Sequence, residues 1–195
     1  MRLPLLAAVL SVVDVGMPAA GSDAPASNAA NTFSVVLPPH RFAGDLLPNS
    51  PFGINTALRP GAPDLEARLK AMQDAGIKWG RQDFEWGRIE RERGKYEFEP
   101  YERLEAECRA HGILLFGCLA YAPRFHDPRT QEGAEAYAAF AAACAQRFAG
   151  RIDYWQIWNE PNGGYWQGKP EEYARCLALA GKAIHEANQI GRAHV

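Results

Sequence analysis

A repeated junction, in which a helical pattern ends in glycine and a strand pattern follows at once, constrains the fold most. The junction occurs at Gly76, Gly112 and Gly150, which are 36 and 38 residues apart. Glycine is favoured just after a helix because it adopts the left-handed conformation without steric cost. This spacing accommodates one strand and one helix, and their alternation predicts an α/β fold with a parallel sheet.

Four helical segments show apolar residues at helical spacing, and four short apolar strands precede them, over 52–55, 77–81, 113–120 and 152–158. A complete eightfold barrel takes roughly 250 residues. We therefore expect the first half of a TIM (β/α)8 barrel, truncated at its C-terminal side, with a small doubly wound sheet as the alternative. The predicted buried stripes are Leu65, Leu69 and Met72; Tyr101, Leu104 and Cys108; Tyr137, Phe140, Cys144 and Phe148; and Tyr173, Leu177, Ala180 and Ile184.

The two ends of the chain differ from this pattern. Residues 1–22 combine Arg2, a short apolar stretch and small residues, which predicts a signal peptide and a secreted or periplasmic protein; a non-functional extension is the alternative. Residues 23–50 are predicted to be a linker or N-terminal extension, and 51–188 the half barrel. Residues 189–195 match the translation of a sequencing adapter, AGATCGGAAGAGCACACGTC. We expect this segment to be an artefact, with a genuine tail as the alternative.

Composition and motifs exclude several function classes. The net charge is −2 and no basic block occurs, so nucleic acid is not an expected partner. The longest uncharged apolar run has 11 residues, which is too short for a stable membrane span. The four cysteines form no C-x-x-C pair, and no glycine-rich phosphate loop is present. We therefore expect no metal site and no cofactor.

The residues Trp158-Asn159-Glu160-Pro161 close the fourth predicted strand. Polar residues in this position lie at the C-terminal edge of the sheet, where barrel enzymes build their active sites. A carboxyl flanked by Trp158 and Trp166 would lose part of its hydration, which suits it to general acid chemistry. The alternative is an exposed glutamate in a surface ion pair.

This motif, in register with the segments 79–113 and 114–125, resembles retaining glycoside hydrolases of clan A. The likeness is nearest to family 39, with family 5 as the alternative, and covers their N-terminal half. The resemblance implies an enzyme, an O-glycosyl hydrolase with a two-carboxylate mechanism, acting on poly- or oligosaccharides. A non-catalytic carbohydrate-binding or scaffold protein is the alternative.

The resemblance also implies roles for single residues. Glu160 matches the general acid/base, Asn159 the residue that binds the sugar 2-hydroxyl, and Arg81 the residue that orients the nucleophile. A structural ion pair is the alternative for Arg81. The nucleophile, a glutamate that ends strand seven in the clan, has no counterpart in this sequence. We therefore expect the chain itself to be inactive, and we expect its unpaired outer strands to allow self-association.

Aromatic residues accompany the predicted rim, where flat rings can stack on sugars. We predict substrate contacts for Trp86, Tyr121 and Trp166, and Tyr165 lies in the same cluster; core packing is the alternative for each. Four further residues follow strands two and three and could face the same opening, namely Asp83, Glu85, His126 and Asp127. A solvated loop pair is the alternative for His126 and Asp127.

Overall fold

The protein is described by a computed structural model over residues 51–192, in which helices pack against a four-stranded parallel sheet. The predicted signal peptide at 1–22, the predicted linker at 23–50 and residues 193–195 of the predicted artefact lie outside these residues. The strands are β1 (Gly53–Asn55), β2 (Trp79–Glu85), β3 (Glu90–Glu92), β4 (Lys95–Tyr96), β5 (Leu114–Ala120) and β6 (Trp155–Ile157). The helices are α1 (Leu65–Asp74), α2 (Trp86–Ile89), α3 (Glu99–Ala110), α4 (Gln131–Arg147) and α5 (Pro170–Arg192).

The sheet order is β1-β2-β5-β6, and every neighbouring pair is parallel. This confirms the predicted α/β class with a parallel sheet. The strands follow chain order, so the described part of the sheet lacks the reversal of order that marks a doubly wound fold. The two remaining strands, β3 and β4, form a small antiparallel hairpin between α2 and α3. None of the helices within 51–192 has both the length and the apolar character that crossing a membrane requires.

The two faces of the sheet differ in chemistry. In β2 the side chains of Gln82 and Phe84 are buried on the helix side, whereas Arg81 and Asp83 alternate with them. Residues that are paired in register on parallel strands point to the same side of the sheet. Arg81 pairs with Asn55, Asp83 with Cys118, and Cys118 with Gln156. We call the side that they share the inner face, with the members Asn55, Arg81, Asp83, Cys118 and Gln156.

The glycine junctions behave as the sequence predicts. Gly76, Gly112 and Gly150 have φ angles of +73°, +68° and +72°, in the left-handed region. The predicted helical stripes are buried except in the last helix, where Tyr173 is partly buried and Leu177 is 42% exposed. Cys176 takes the buried position of that turn instead, because it continues the spacing from Tyr173 to Ala180 on one face of α5.

The predicted strand boundaries need correction. β2 runs to Glu85 rather than ending at Arg81, so Asp83 and Glu85 lie in the strand and not in the loop after it. Polar residues follow Arg81, and for that reason the sequence predicts a loop there. In the structure these residues belong to β2, and their side chains alternate between the inner face and the core. β6 is shorter than predicted, because Ile152 is still in the turn after α4 and Trp158 leaves the strand with a φ of +65°.

Helix α4 has a side-chain cap that gives a stability prediction. The Thr130 hydroxyl accepts a hydrogen bond from the Gly133 amide at 3.0 Å and donates one to the Asp127 carbonyl at 2.9 Å. We expect Thr130→Ala to lower the free energy of unfolding by about 1 kcal/mol, because an amide of the first turn loses its acceptor. Urea unfolding measures the change, with Thr130→Ser as the control that keeps the hydroxyl. Equal losses in both variants would contradict the capping role.

Candidate active site

Arg81 is the centre of a polar network on the inner face, near the C-terminal ends of the strands. Its Nη2 donates to Asn159 Oδ1 at 2.8 Å and to Cys118 Sγ at 3.0 Å. Its Nη1 donates to Asn55 Oδ1 at 3.0 Å and to Asp83 Oδ1 at 3.1 Å. Its Nε donates to Gln156 Oε1 at 2.9 Å. A guanidinium has five N–H donors, and each of them has a partner here.

One of the two readings that the sequence left open for Arg81, a structural ion pair, is present in this network, whereas orientation of a nucleophile stays a prediction. The ion pair is with Asp83, with 16% of the Arg81 side chain and 29% of the Asp83 side chain exposed. The contact with Asn159 joins Arg81 to the residue that precedes Glu160. The guanidinium therefore links the predicted acid/base segment to strand β2.

Asn159 bridges Arg81 and the aromatic rim. Its Oδ1 accepts from Arg81, and its Nδ2 donates to the Tyr121 hydroxyl oxygen at 3.0 Å. Burial raises the pKa of Tyr121, the negative charge of Asp83 adds to this, and the hydrogen bond from Asn159 opposes it. Tyr121 therefore keeps its phenolic proton at neutral pH and can donate it to a ligand. The structure thus brings three predicted site residues together: Arg81, Tyr121 and Asn159.

Three non-glycine residues at this edge adopt positive φ angles: Tyr121 at +63°, Trp158 at +65° and Glu160 at +43°. Bulky side chains rarely occupy this region, and each such residue costs on the order of 1–3 kcal/mol unless its surroundings enforce it. Such residues cluster at functional sites. Their position at the ends of β5 and β6 therefore singles out this edge of the sheet.

Glu160 lies exposed at the start of the loop after β6. Its backbone carbonyl accepts from the Gly163 amide at 2.9 Å, which closes a tight turn. The sequence predicted that Trp158 and Trp166 would exclude water from this carboxyl, and the structure corrects this. Both indoles are buried and pack edge to face, with centroids 5.2 Å apart, so they lie in the core rather than over Glu160.

Two of the predicted sugar-binding rings are core residues. Trp86 has no exposed surface and stacks between His126 and Phe140, and its Nε1 donates to Glu90 Oε2 at 2.5 Å. Trp166 is 3% exposed. Core packing, the alternative for both rings, is therefore what the structure shows. The exposed ring at this edge is Tyr165, whose centroid lies 6.0 Å from that of Tyr121.

Other predicted neighbours of the site bond elsewhere. The side chain of His126 is buried, and its Nε2 lies 3.4 Å from Glu90 Oε1. Asp127 pairs with Arg129, and the side-chain hydrogen bond from Arg129 is the main cause that lowers the pKa of that carboxyl. Glu85 pairs with Arg88. Of the four residues that the sequence placed after strands two and three, only Asp83 joins the network around Arg81.

Sequence reasoning missed Gln156, Asn55 and Cys118 as members of this site. Their signal is register: Asn55 pairs with Arg81 and Cys118 with Asp83 on adjacent strands, and Gln156 pairs with Cys118 one strand further along. Burial raises the pKa of the Cys118 thiol to about 12, so this sulfur is not a thiolate nucleophile at neutral pH. Within 51–192, no three histidine, cysteine or acidic side chains are grouped as metal ligands would be.

Comparison with solved structures relates this arrangement to known proteins. The chain is similar to a family 39 glycoside hydrolase from the gut symbiont Bacteroides cellulosilyticus WH2, with a TM-score of 0.62 and 22% identity over 71% of this chain and 29% of that chain. A β-glycosidase matches with a TM-score of 0.58 and 18% identity over 68% of this chain and 43% of that one. No family model matches the sequence, and no curated protein sequence matches it.

The Thermotoga maritima family 1 β-glucosidase also matches, with a TM-score of 0.56 and 19% identity over 65% of this chain and 36% of that one. A second structure of the Thermotoga maritima β-glucosidase was solved in complex with azafagomine, and it matches with the same TM-score and identity. The chain therefore spans well under half the length of these structures. The predicted resemblance to clan A glycoside hydrolases, including family 39, is confirmed at the level of the fold.

Proposed function

We propose that residues 51–188 are the N-terminal half of a glycoside hydrolase (β/α)8 barrel and that Glu160 is its general acid/base. The observation that carries this proposal is the contact between Arg81 and Asn159, which joins strand β2 to the residue next to Glu160 at 2.8 Å. A polar network at the carboxyl edge of a parallel sheet is where barrel enzymes place their chemistry.

The half-barrel part of the proposal is supported by the two faces of the sheet. The helix side holds large buried side chains such as Phe84 and Leu119, whereas the inner face carries a charged and amide network. Parallel sheets are ordinarily covered on both faces. Further strands that close a barrel would cover the inner face and pair the outer edges of β1 and β6. Self-association of the 195-residue chain through these edges stays a prediction.

In the proposed reaction, a saccharide binds over the inner face with its leaving oxygen beside Glu160. Glu160 protonates that oxygen, a second carboxylate attacks the anomeric carbon, and Glu160 then removes a proton from the water that releases the sugar. Asn159 and Tyr121 offer an amide and a phenol to the sugar hydroxyls. We assign no residue of this chain to the nucleophile.

A non-catalytic carbohydrate-binding protein is the second candidate, and one observation favours it. All five donors of Arg81 already have partners within the described residues, which leaves none for a nucleophile carboxylate. Sequencing the source DNA across the codon for Gln189 separates the two candidates. A reading frame with further strand–helix units and a glutamate ending the seventh strand supports the hydrolase, whereas a stop after Val195 supports the binding protein.

The proposed binding site is tested with azafagomine, with which a structural neighbour was solved in complex. We expect Glu160→Gln to raise the Kd of the 195-residue chain for azafagomine at least about tenfold, because a charge-assisted hydrogen bond is lost. Glu107→Gln, which removes an exposed carboxylate on α3, is the matched control and should leave the Kd unchanged. Equal affinities of the two variants, measured by titration calorimetry or NMR, would contradict the role of Glu160.

A further inference from the structure

Gln156 uses both ends of its amide on the inner face. Its Oε1 accepts from Arg81 Nε at 2.9 Å, and its Nε2 donates to the carbonyl oxygen of Trp158 at 2.7 Å. The side chain therefore connects the guanidinium directly to the backbone that leads into Asn159 and Glu160. Nothing in the sequence selects Gln156, because a glutamine within an apolar strand carries no catalytic signature.

The backbone that Gln156 contacts is held in an unusual conformation. Trp158 has a φ of +65°, and its amide donates to the Leu119 carbonyl at 2.9 Å. Its indole Nε1 donates to the Tyr165 carbonyl at 3.1 Å. The Trp158 carbonyl, by contrast, is contacted by Gln156 at 2.7 Å and by the Cys118 thiol, a weak donor, at 3.5 Å. Gln156 is therefore the strong hydrogen-bond donor that fixes the direction of this carbonyl.

We propose that Gln156 is a positioning residue that aligns the Trp158–Asn159 peptide with Arg81 and thereby sets the position of Asn159 and Glu160. This inference rests on the proposed function, because the segment that it aligns is the proposed acid/base segment. Gln156 acts through Arg81 and the Trp158 carbonyl, and it needs no contact with the saccharide.

Glutamine suits this role because one acceptor and one donor are required. Glutamate keeps an acceptor for Arg81 but places a negative oxygen against the Trp158 carbonyl. Methionine has a similar length but carries neither a strong hydrogen-bond acceptor nor a strong donor. The two variants therefore separate the link to Arg81 from the link to Trp158.

The chain contains a matched control on the other face of the sheet. Gln82 is 4% exposed, and its amide also uses both ends, accepting from Thr56 Oγ1 at 2.8 Å and donating to the Leu58 carbonyl at 3.1 Å. It contacts neither Arg81 nor Trp158 among its hydrogen-bond partners. Its Nε2 also donates to the Asp83 backbone carbonyl at 3.2 Å, so Gln82→Met removes a buried glutamine amide from β2 while leaving the side-chain hydrogen bonds of Arg81 and Gln156 in place.

The experiment compares Gln156→Met, Gln156→Glu and Gln82→Met in the 195-residue chain by two-dimensional NMR and by azafagomine titration. We expect both Gln156 variants to shift the side-chain amide signals of Asn159 and the backbone amide signal of Glu160 before ligand is added. We expect their Kd for azafagomine to rise about tenfold, the effect of one net hydrogen bond. Gln82→Met should lower Tm while leaving the signals and the Kd as they are.

Unmoved Asn159 and Glu160 signals in a folded Gln156→Met chain would overturn the inference. If Gln156→Met does not fold, the Asn159 and Glu160 signals of Gln156→Glu provide the test instead, because that variant retains the acceptor for Arg81. Equal shifts of these signals in Gln82→Met would also overturn it, because the effect would then be general to the sheet. If azafagomine does not bind the unsubstituted chain, the proposed function fails, and the positioning of Asn159 is still judged from the ligand-free signals.

Discussion

Replacement of Trp86 by alanine is expected to lower the free energy of unfolding by about 3–5 kcal/mol, the usual cost of removing a large ring from a packed core. The ring has no exposed surface and stacks on Phe140 and His126, with centroids 5.5 and 4.9 Å away. Its loss also removes the indole donor to Glu90, which is 2% exposed. Urea unfolding followed by circular dichroism measures the change.

Tyr165→Ala is the matched control for this prediction. Tyr165 is 54% exposed, so we expect its removal to change the free energy of unfolding by less than about 0.5 kcal/mol. The two variants thus separate a ring that holds the core from a ring that is free to meet a saccharide. A loss of unfolding free energy in Trp86→Ala as small as that in Tyr165→Ala would contradict the burial of the Trp86 ring in the core. It would favour the predicted contact of this ring with sugar.

Arg81→Met has the second large effect, because it removes all five donors of the inner-face network at once. We expect a loss of about 2–4 kcal/mol in the free energy of unfolding, less than for a fully buried pair because the ion pair with Asp83 is partly solvated. We also expect azafagomine binding to fall below detection, because Asn159 loses its strongest partner. Urea unfolding and calorimetric titration measure the two effects.

The double variant Arg81→Met with Asp83→Asn tests the electrostatic part of this prediction. Asp83 without Arg81 is an uncompensated carboxylate on a half-buried surface. Neutralising it should therefore recover part of the lost stability while leaving ligand binding absent. A double variant less stable than the single one would show that Asp83 does not depend on Arg81 as its counterion.

The sequence predicts the alternation of strands and helices well, because neighbouring residues determine where a helix ends and which of its sides is buried. Glycine is the favoured residue where a helix must end in the left-handed conformation, so Gly76, Gly112 and Gly150 mark the units reliably. The spacing of Leu65 and Leu69 likewise determines which side of α1 is buried. The end of β2 was not predictable in this way, because its polar residues are satisfied by neighbouring strands that lie far away in the sequence.

The residues of the candidate site likewise fall into two groups: those that a local motif identifies, and those whose role depends on the packing of distant segments. Glu160 and Asn159 follow directly from a local motif at a strand end, whereas the contact of Asn159 with Arg81 is seen only in the structure. Gln156 could not be selected, because its role depends on the register between β5 and β6. Trp86 was misassigned because one sequence cannot distinguish a ring that faces solvent from a ring that faces the core, and the partners that bury it come from three other segments.

Binding of a saccharide over the inner face beside Glu160 can be tested by mapping azafagomine on the 195-residue chain by NMR. We expect the largest amide shifts at Tyr121, Asn159, Glu160 and Tyr165. A cavity at the opposite end of the strands is lined in part by Trp79, Leu114 and Tyr154. Shifts confined to that end, or an unchanged spectrum at saturating azafagomine, would contradict binding beside Glu160.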